Sequence, residues 1–191
     1  MKRCSIGDRI SKVGIVIAVI MVLAMGSWTV GQAVMTKDFQ ADKATFTKYL
    51  LATARAARTV YVKAVMRKAK EAGMRPSEAW VKEDHALMLP AQFIKALGKE
   101  IPEYELGLIG TDPLYEANAP RTQKEREMLA RLASGKEKMV TFQDGMQFKG
   151  MAADFAITQG CADCHNRHPR SRRHDWKKGD FMGAIIVRMR G

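Results

Sequence analysis

The sequence predicts an α+β domain in which helices come first and an antiparallel sheet comes last. Residues 37–72 contain neither Pro nor Gly and repeat apolar side chains at helical spacing, which predicts one long helix. The pair Asp144-Gly145 separates two stretches of strand-forming residues, 138–143 and 146–151, and this pattern is typical of a β-hairpin. The run from Phe181 to Met189 predicts a closing strand.

The first helix is predicted from Lys37 to about Ala72, and Gly73 occupies the position that favours a helix end. Apolar residues recur in it every three or four positions, so we expect them on one buried face. These residues are Phe46, Leu50, Ala54, Ala57, Tyr61, Ala64 and Val65.

Shorter elements are predicted between the long helix and the hairpin. A helix begins at Pro90 and covers 91–97, a strand covers 105–110, and an amphipathic helix covers 121–132. Residues 157–180 show little secondary-structure signal. A loop of this length inside a compact domain is usually functional or disordered.

Composition limits the class of protein. The chain has 191 residues, enough for one domain or two small ones, and its 47% hydrophobic and 27% charged residues exclude collagen-like and low-complexity chains. Its 32 Lys and Arg against 20 Asp and Glu give a net charge of +12. Such an excess fits nucleic acid, an anionic membrane surface or an acidic protein as partner, and charge alone does not choose among them.

The N-terminal segment predicts a membrane location. Val13 to Thr36 carries no charge, and a helix of that length crosses a hydrocarbon core of roughly 30 Å. The basic residues before it predict residues 1–12 in the cytoplasm, 13–36 as a transmembrane signal anchor and 37–191 as a domain in the periplasm. The alternative is a cleaved signal peptide, since Ala24 and Gly26 are small residues at suitable spacing. In either case the folded domain lies outside the cytoplasm, so nucleic acid is not an expected partner.

The sequence Cys161-Ala162-Asp163-Cys164-His165 has the form C-x-x-C-H, the attachment motif of c-type haem. Two thiols at this spacing can each bond one vinyl group, and the following histidine can ligate the iron. We therefore expect one haem c held by Cys161 and Cys164, with His165 as an iron ligand. A zinc site and a redox-active disulfide are the alternatives. Zinc lacks a second Cys pair, and the motif's flanks are loop-like rather than typical of the strand-to-helix junction of thiol oxidoreductases.

Four segments carry a family resemblance: 161–169, 175–184, 89–93 and 112–118. In them the chain resembles single-haem c-type domains with a PAS-like fold, found in bacterial and cyanobacterial extracytoplasmic proteins and at the sensing end of some membrane receptors. The resemblance implies a PAS-like fold, one covalent haem and a redox or ligand-sensing role. In the cyanobacterial type, a cysteine on the first long helix is the implied sixth iron ligand. This chain has no cysteine from Ser5 to Gly160, so that ligation does not transfer.

Several residues could lie opposite His165. His85 could ligate iron or be a solvated histidine beside two carboxylates, and Tyr61 could ligate iron, bind an iron ligand or be a core residue. Met66 and Met88 could supply a thioether. Trp176 could pack against the porphyrin or pin the loop.

A basic cluster surrounds the motif and could neutralise haem propionates and steer an acidic redox partner, or simply be a solvated surface. Its members are Arg167, Arg170, Arg172, Arg173, Lys177 and Lys178.

The favoured function is that of a membrane-anchored monohaem c-type cytochrome that transfers single electrons in the periplasm. The alternative is a haem-based redox or gas sensor, which would bind NO, CO or O₂ and signal through a partner membrane receptor. An enzyme such as a peroxidase is less favoured, because the pair it would need, His85 and Arg58, has no feature that brings the two together.

Overall fold

The computed structural model of the protein describes residues 41–190. Backbone contacts divide the chain into Met1–Lys43 and Ala44–Gly191, and the architecture described below is that of the second unit. The predicted cytoplasmic segment 1–12, the predicted anchor 13–36 and the predicted domain boundary at residue 37 lie outside the described residues.

Four main helices are present in the described part of the chain. The long helix α1 is α-helical over residues 41–60, has a π-helical turn at Tyr61–Val65, and continues as Met66–Glu71. In the π-turn the Met66 amide donates to the Tyr61 carbonyl, and such turns are often found at functional sites. The other three are α2 (Pro90–Lys99), α3 (Gln123–Ala133) and α4 (Gln159–Arg167).

The strands are β1 (Arg75–Pro76), β2 (Ala86–Leu87), β3 (Tyr104–Ile109), β4 (Met139–Asp144), β5 (Gln147–Phe155) and β6 (Phe181–Met189). The last four form an antiparallel sheet, which confirms the predicted α+β class. Its order is β3-β6-β5-β4, and β4 and β5 form the predicted hairpin, with Asp144 paired to Gln147 across the turn. A separate parallel pair, β1 and β2, follows α1.

Helices cover both faces of the sheet. On β6, Ala184 and Ile186 pack in a core that includes Leu129 and Leu132 of α3. Ile185 and Val187, which point to the other face, pack in a second core with α1 and α2. Burial on both faces explains why β6 is a continuous apolar run rather than an alternating one.

The predicted buried face of α1 is partly wrong. Phe46 is 52% exposed and Val65 49% exposed, whereas Tyr61 and Ala54 are buried as expected. The buried row includes two polar residues, which an apolar pattern does not select: Thr47 packs against Gly150 of β5, and Arg58 forms an ion pair with Asp154. This row is Thr47, Leu51, Ala54, Arg58, Val62 and Met66.

The prediction that the C-x-x-C-H motif lies in a loop is also wrong, because the five residues are inside α4. The helix begins after Thr158, which has the extended backbone of a capping position, and ends before Pro169. The helix is only nine residues long and contains Gly160 near its start, so its sequence resembled a loop.

The predicted single-pass membrane location is contradicted for the part of the chain that the structure describes. Between residues 41 and 190 no helix is both long enough and apolar enough to cross a bilayer. The long helix carries charged residues in successive turns, among them Lys48, Arg55 and Lys63, which prevents any sufficiently apolar stretch.

A buried charge network lies between α3 and the sheet. Glu125, which is fully buried, accepts hydrogen bonds from Arg188 of β6 at 2.7 and 2.9 Å and from Lys149 of β5 at 2.9 Å. Asp144 accepts a second bond from Lys149 at 2.7 Å, and Glu105 accepts one from Arg188 at 2.8 Å. Because each charge has partners of opposite sign, the network joins the helix to all four strands of the sheet without an isolated buried charge.

We expect the stability of the fold to fall in acid through Glu125. Burial alone would raise its pKa, but bonds from Arg188, from the Arg121 amide and from Lys149 outweigh burial and lower the pKa from 4.5 to about 2. Its contribution is therefore present above about pH 4.5 and is lost as pH falls from there towards 2. Urea unfolding at pH 6, 4 and 3 should show this decline for the wild type, and a much shallower one for Glu125→Gln.

Candidate functional site

The motif and residues from several other elements line one cavity of about 1300 Å³. It lies between α1, α4, the beginning of α2 and the segment that follows β3. Cys161, Cys164 and His165 all line it. The volume exceeds the roughly 300–1,000 Å³ typical of small-molecule pockets, so the cavity can hold a large ligand.

Helix α4 places the three motif side chains on one face. Residues three and four positions apart on a helix are neighbours, so Cys161, Cys164 and His165 point in similar directions. Cys161 also contacts the apolar cluster that contains Val62 and Met66 of α1. Both cysteines are free thiols, so neither is held in a disulfide.

The His165 ring is held against Trp176. Their ring centroids are 6.1 Å apart with an interplanar angle of 73°, an edge-to-face contact. Burial lowers the pKa of His165, and the charges of His168 and Arg58 act in the same direction. The imidazole is thus neutral at pH 7, which is the form that can coordinate a metal ion.

Trp176 is itself fixed by the neighbouring helix. Asn166 donates from Nδ2 to the Trp176 carbonyl at 2.9 Å and accepts from the Trp176 amide at 2.8 Å. The Arg173 guanidinium lies over the Trp176 ring at 4.1 Å. Trp176 does not line the cavity. It contacts the His165 ring, and its bonds with Asn166 hold the segment after α4 against the helix.

The Cys164 thiol stays protonated near neutral pH. Burial raises its pKa, the Glu78 carboxylate raises it further, and Arg167 opposes both. The placement of the motif in a helix after β5 removes the loop-like context that argued against a redox disulfide. The raised pKa now argues against that alternative for Cys164, because thiol–disulfide exchange needs the thiolate.

Besides Trp176, the predicted candidates His85, Tyr61 and Met88 do not line the cavity. His85 is exposed in the turn before β2 with a backbone φ of 54°. Tyr61 stacks on Phe93 with 4.5 Å between ring centroids, and its hydroxyl donates to the Met88 carbonyl at 2.7 Å. Tyr61 is therefore placed as a core residue with a satisfied hydroxyl. Met66 lines the cavity, whereas Met88 does not.

The structure also adds residues that the sequence did not identify. Asp154, near the end of β5, lines the cavity beside Arg58, and its carboxylate oxygen lies 2.9 Å from an Arg58 nitrogen. Met182 and Lys95 line it too, and burial lowers the pKa of Lys95. None of these belongs to a local motif, so they become visible only when strands and helices are assembled. Apolar walls are provided by Val62, Met66, Leu89, Leu108, Leu114 and Met182.

The predicted basic cluster is partly engaged in local contacts. Arg173 pairs with Asp175 and Asp180, and Arg170 lies over the Tyr115 ring at 4.6 Å. Arg167 is exposed and lines the cavity, together with Lys63, Arg67 and Lys70 of α1. The exposed basic residues that line the cavity therefore come mostly from α1, and Arg167 at the end of α4 is the one member of the predicted cluster among them.

The zinc alternative finds no support in the described residues. Between residues 41 and 190 no group of three or more His, Cys, Asp or Glu side chains is arranged to hold a metal ion. His168, the histidine that follows the motif, lies 3.4 Å from Glu78 and accepts a bond from the Arg170 amide.

Comparison with known proteins identifies the family. No curated protein matches the chain. Among solved structures, the chain is similar to the crystal structure of the cyanobacterial heme-protein Tll0287, with 14% identity and a TM-score of 0.43 over 51% of this chain and 67% of that one. The family model described as Tll0287-like matches residues 36–190. Because this match covers most of the sequence, the chain belongs to the Tll0287-like family.

Proposed function

We propose that the protein is a haem c protein, with one haem bonded to Cys161 and Cys164 and ligated by His165. The observation that carries the proposal is the placement of these three side chains on one face of α4, where all of them line a cavity of about 1300 Å³. Membership in the Tll0287-like family supports haem binding, since Tll0287 is described as a heme-protein.

The residues around the cavity fit such a group. Apolar side chains such as Val62, Leu108 and Met182 can cover the faces of a macrocycle. Each motif thiol can add across a vinyl group, so that a sulfur–carbon bond forms, the thiol proton goes to the neighbouring carbon, and no net oxidation occurs. The thiols are free, as this reaction requires, and His165 has the neutral form that binds iron.

We infer electron transfer as the role that fits best. When bound, haem supplies single-electron exchange between ferric and ferrous iron. The chain's part is to hold His165 still, through Trp176 and Asn166, and to exclude water with the apolar walls. Met66 is 8% exposed and lines the cavity, so its thioether would be the candidate for a second iron ligand. His/Met ligation is characteristic of electron-transfer cytochromes c.

The expected partner is an acidic redox protein. Four exposed cations line the cavity, Lys63, Arg67, Lys70 and Arg167, against two exposed carboxylates, Glu71 and Glu78, so a small excess of positive charge borders the approach to the proposed haem. Such a field raises the rate of encounter with an acidic surface and weakens with added salt. We therefore expect the rate of electron exchange with an acidic carrier to fall as ionic strength rises.

Sensing is the second candidate, and one observation favours it. Among the described residues, no imidazole other than that of His165 lines the cavity. If Met66 is displaced easily or does not bind, the iron has a position for a diatomic gas. Such a position suits NO, CO or O₂ sensing through a partner receptor better than electron transfer.

Replacement of Met66 separates the two roles. We expect the wild type to be low-spin in both oxidation states and not to bind CO, and Met66→Ala to become high-spin and CO-binding when reduced, because its thioether is gone. Met88→Ala and His85→Ala are the controls, since neither residue lines the cavity, and both should keep the wild-type spectrum. An unchanged spectrum in Met66→Ala would remove Met66 from the site. A wild type that is high-spin and binds CO would replace electron transfer with sensing.

A further inference from the structure

Arg58 is a buried cation in the cavity wall with unused hydrogen-bond donors. It is 6% exposed and lies in the middle of α1 between Ala54 and Val62. Its Nη1 lies 2.9 Å from Asp154 Oδ1, as an ion pair without an aligned hydrogen bond. Its Nε is also buried and has no hydrogen-bond partner in the described part of the chain. Nearly all buried donors in proteins are paired, so these need an explanation.

The charge around Arg58 favours an additional anion. Burial raises the pKa of Asp154, against the lowering influence of Arg58, of Arg55 and of the Phe155 amide. Arg58 is therefore paired with a carboxylate that is reluctant to ionise. The excess at this point of the cavity wall is positive, and leaving it unpaired is costly in a buried site.

We propose that Arg58 is the anion-binding residue of the cavity. This inference rests on the proposed function, and the anion is either a propionate carboxylate of the bound haem or a small free anion. The planar guanidinium matches a carboxylate with two parallel N–H donors, and Arg58 lines the cavity together with His165. Asp154 holds the guanidinium in place from the sheet side.

The alternative is that the Arg58–Asp154 pair only ties α1 to β5. The two accounts differ in how the cost of removing Arg58 depends on haem. If Arg58 only joins two elements, its removal lowers the stability of the fold equally with and without haem. If Arg58 binds an anion, its removal lowers the stability more when the anion is present, because the contact with the anion is lost as well.

Urea unfolding of four full-length proteins tests this difference. Arg58→Met is compared with the parent both in the haem-loaded protein and in the haem-free Cys161→Ala/Cys164→Ala background. We expect the substitution to reduce the folding equilibrium constant at least tenfold more in the haem-loaded pair. An equal reduction in both pairs excludes the haem carboxylate as the anion and leaves the proposed function intact, and it overturns the inference unless the azide measurement described next assigns a small anion. A wild type without covalent haem, recognised by a missing pyridine haemochrome band, overturns both.

A second measurement needs the haem-loaded protein alone and identifies the anion. In Arg58→Lys, which keeps the charge but loses the planar donor pair, a shifted propionate vibration in the resonance Raman spectrum assigns Arg58 to the haem carboxylate. An unshifted vibration with at least tenfold weaker azide binding to the ferric protein assigns it to a small anion. Arg75→Lys, an exposed arginine that pairs with Glu83 and does not line the cavity, should change neither. If Arg58→Lys also changes neither, Arg58 binds no anion.

Discussion

Replacing both Cys161 and Cys164 with alanine should abolish covalent haem attachment completely. Each sulfur supplies one of the two bonds, and both side chains lie on the same face of α4 in the cavity wall. After denaturing electrophoresis the wild type should keep haem-dependent peroxidase staining at its own band, and the double variant should not. A single replacement should leave one bond and a weakened stain.

The control for this experiment is Cys4→Ala, which removes the one cysteine outside the motif and should leave the stain unchanged. Alanine is a suitable replacement because the neighbouring Ala162 already packs in the core and α4 tolerates a small side chain there. Circular dichroism of the double variant should show that the helices and the sheet persist. Haem that stays bound to the denatured double variant would contradict covalent attachment through these thiols.

Replacing Glu125 with alanine should destabilise the fold by about 3–5 kcal/mol, the usual cost of breaking a buried ion pair from one side. Glu125 is the shared partner of Arg188 and Lys149, both of which are almost fully buried. Without it, Arg188 keeps Glu105 and Lys149 keeps Asp144, but each lies beside an empty space where the carboxylate was. Urea unfolding at pH 7 measures the change in the free energy of unfolding.

Glu127→Ala is the matched control, since it removes an exposed carboxylate from the same helix that pairs with Lys124 at 3.5 Å. Exposed pairs contribute about 0–1 kcal/mol, so this variant should stay close to the wild type. Equal effects of the two substitutions would show that the network contributes no more than a surface pair. Since the network lies on the α3 side of the sheet, Glu125→Ala should leave the spectrum of the folded, haem-loaded protein unchanged.

Elements whose cause is local could be predicted from the sequence. The closing strand Phe181–Met189 was predicted at its observed bounds because a long run of strand-forming residues follows a turn at Gly179, whose φ is +91°. The helix from Pro90 and the hairpin at Asp144-Gly145 also depend on residues within a few positions. Helix α4 could not be predicted, because it is short and contains Gly160. It depends for its stability on packing against Trp176 and α1, which local sequence does not encode.

The site divides in the same way. The motif in α4 is local, so the sequence alone could predict its three residues as a group, and all three line the cavity. The opposite wall depends on how β5 is placed beside α1, since Asp154 meets Arg58 across 96 residues, and no periodicity encodes that contact. His85 was a candidate only for its chemistry, and a turn with positive φ places it in solvent away from the cavity lining.

The mass of the denatured wild-type chain tests the central claim most directly. A chain that carries haem through two thioether bonds keeps it in denaturant and acid, so the intact mass should exceed that of the polypeptide by one haem. A mass equal to that of the polypeptide alone, measured on protein produced in cells able to assemble c-type cytochromes, would contradict the account.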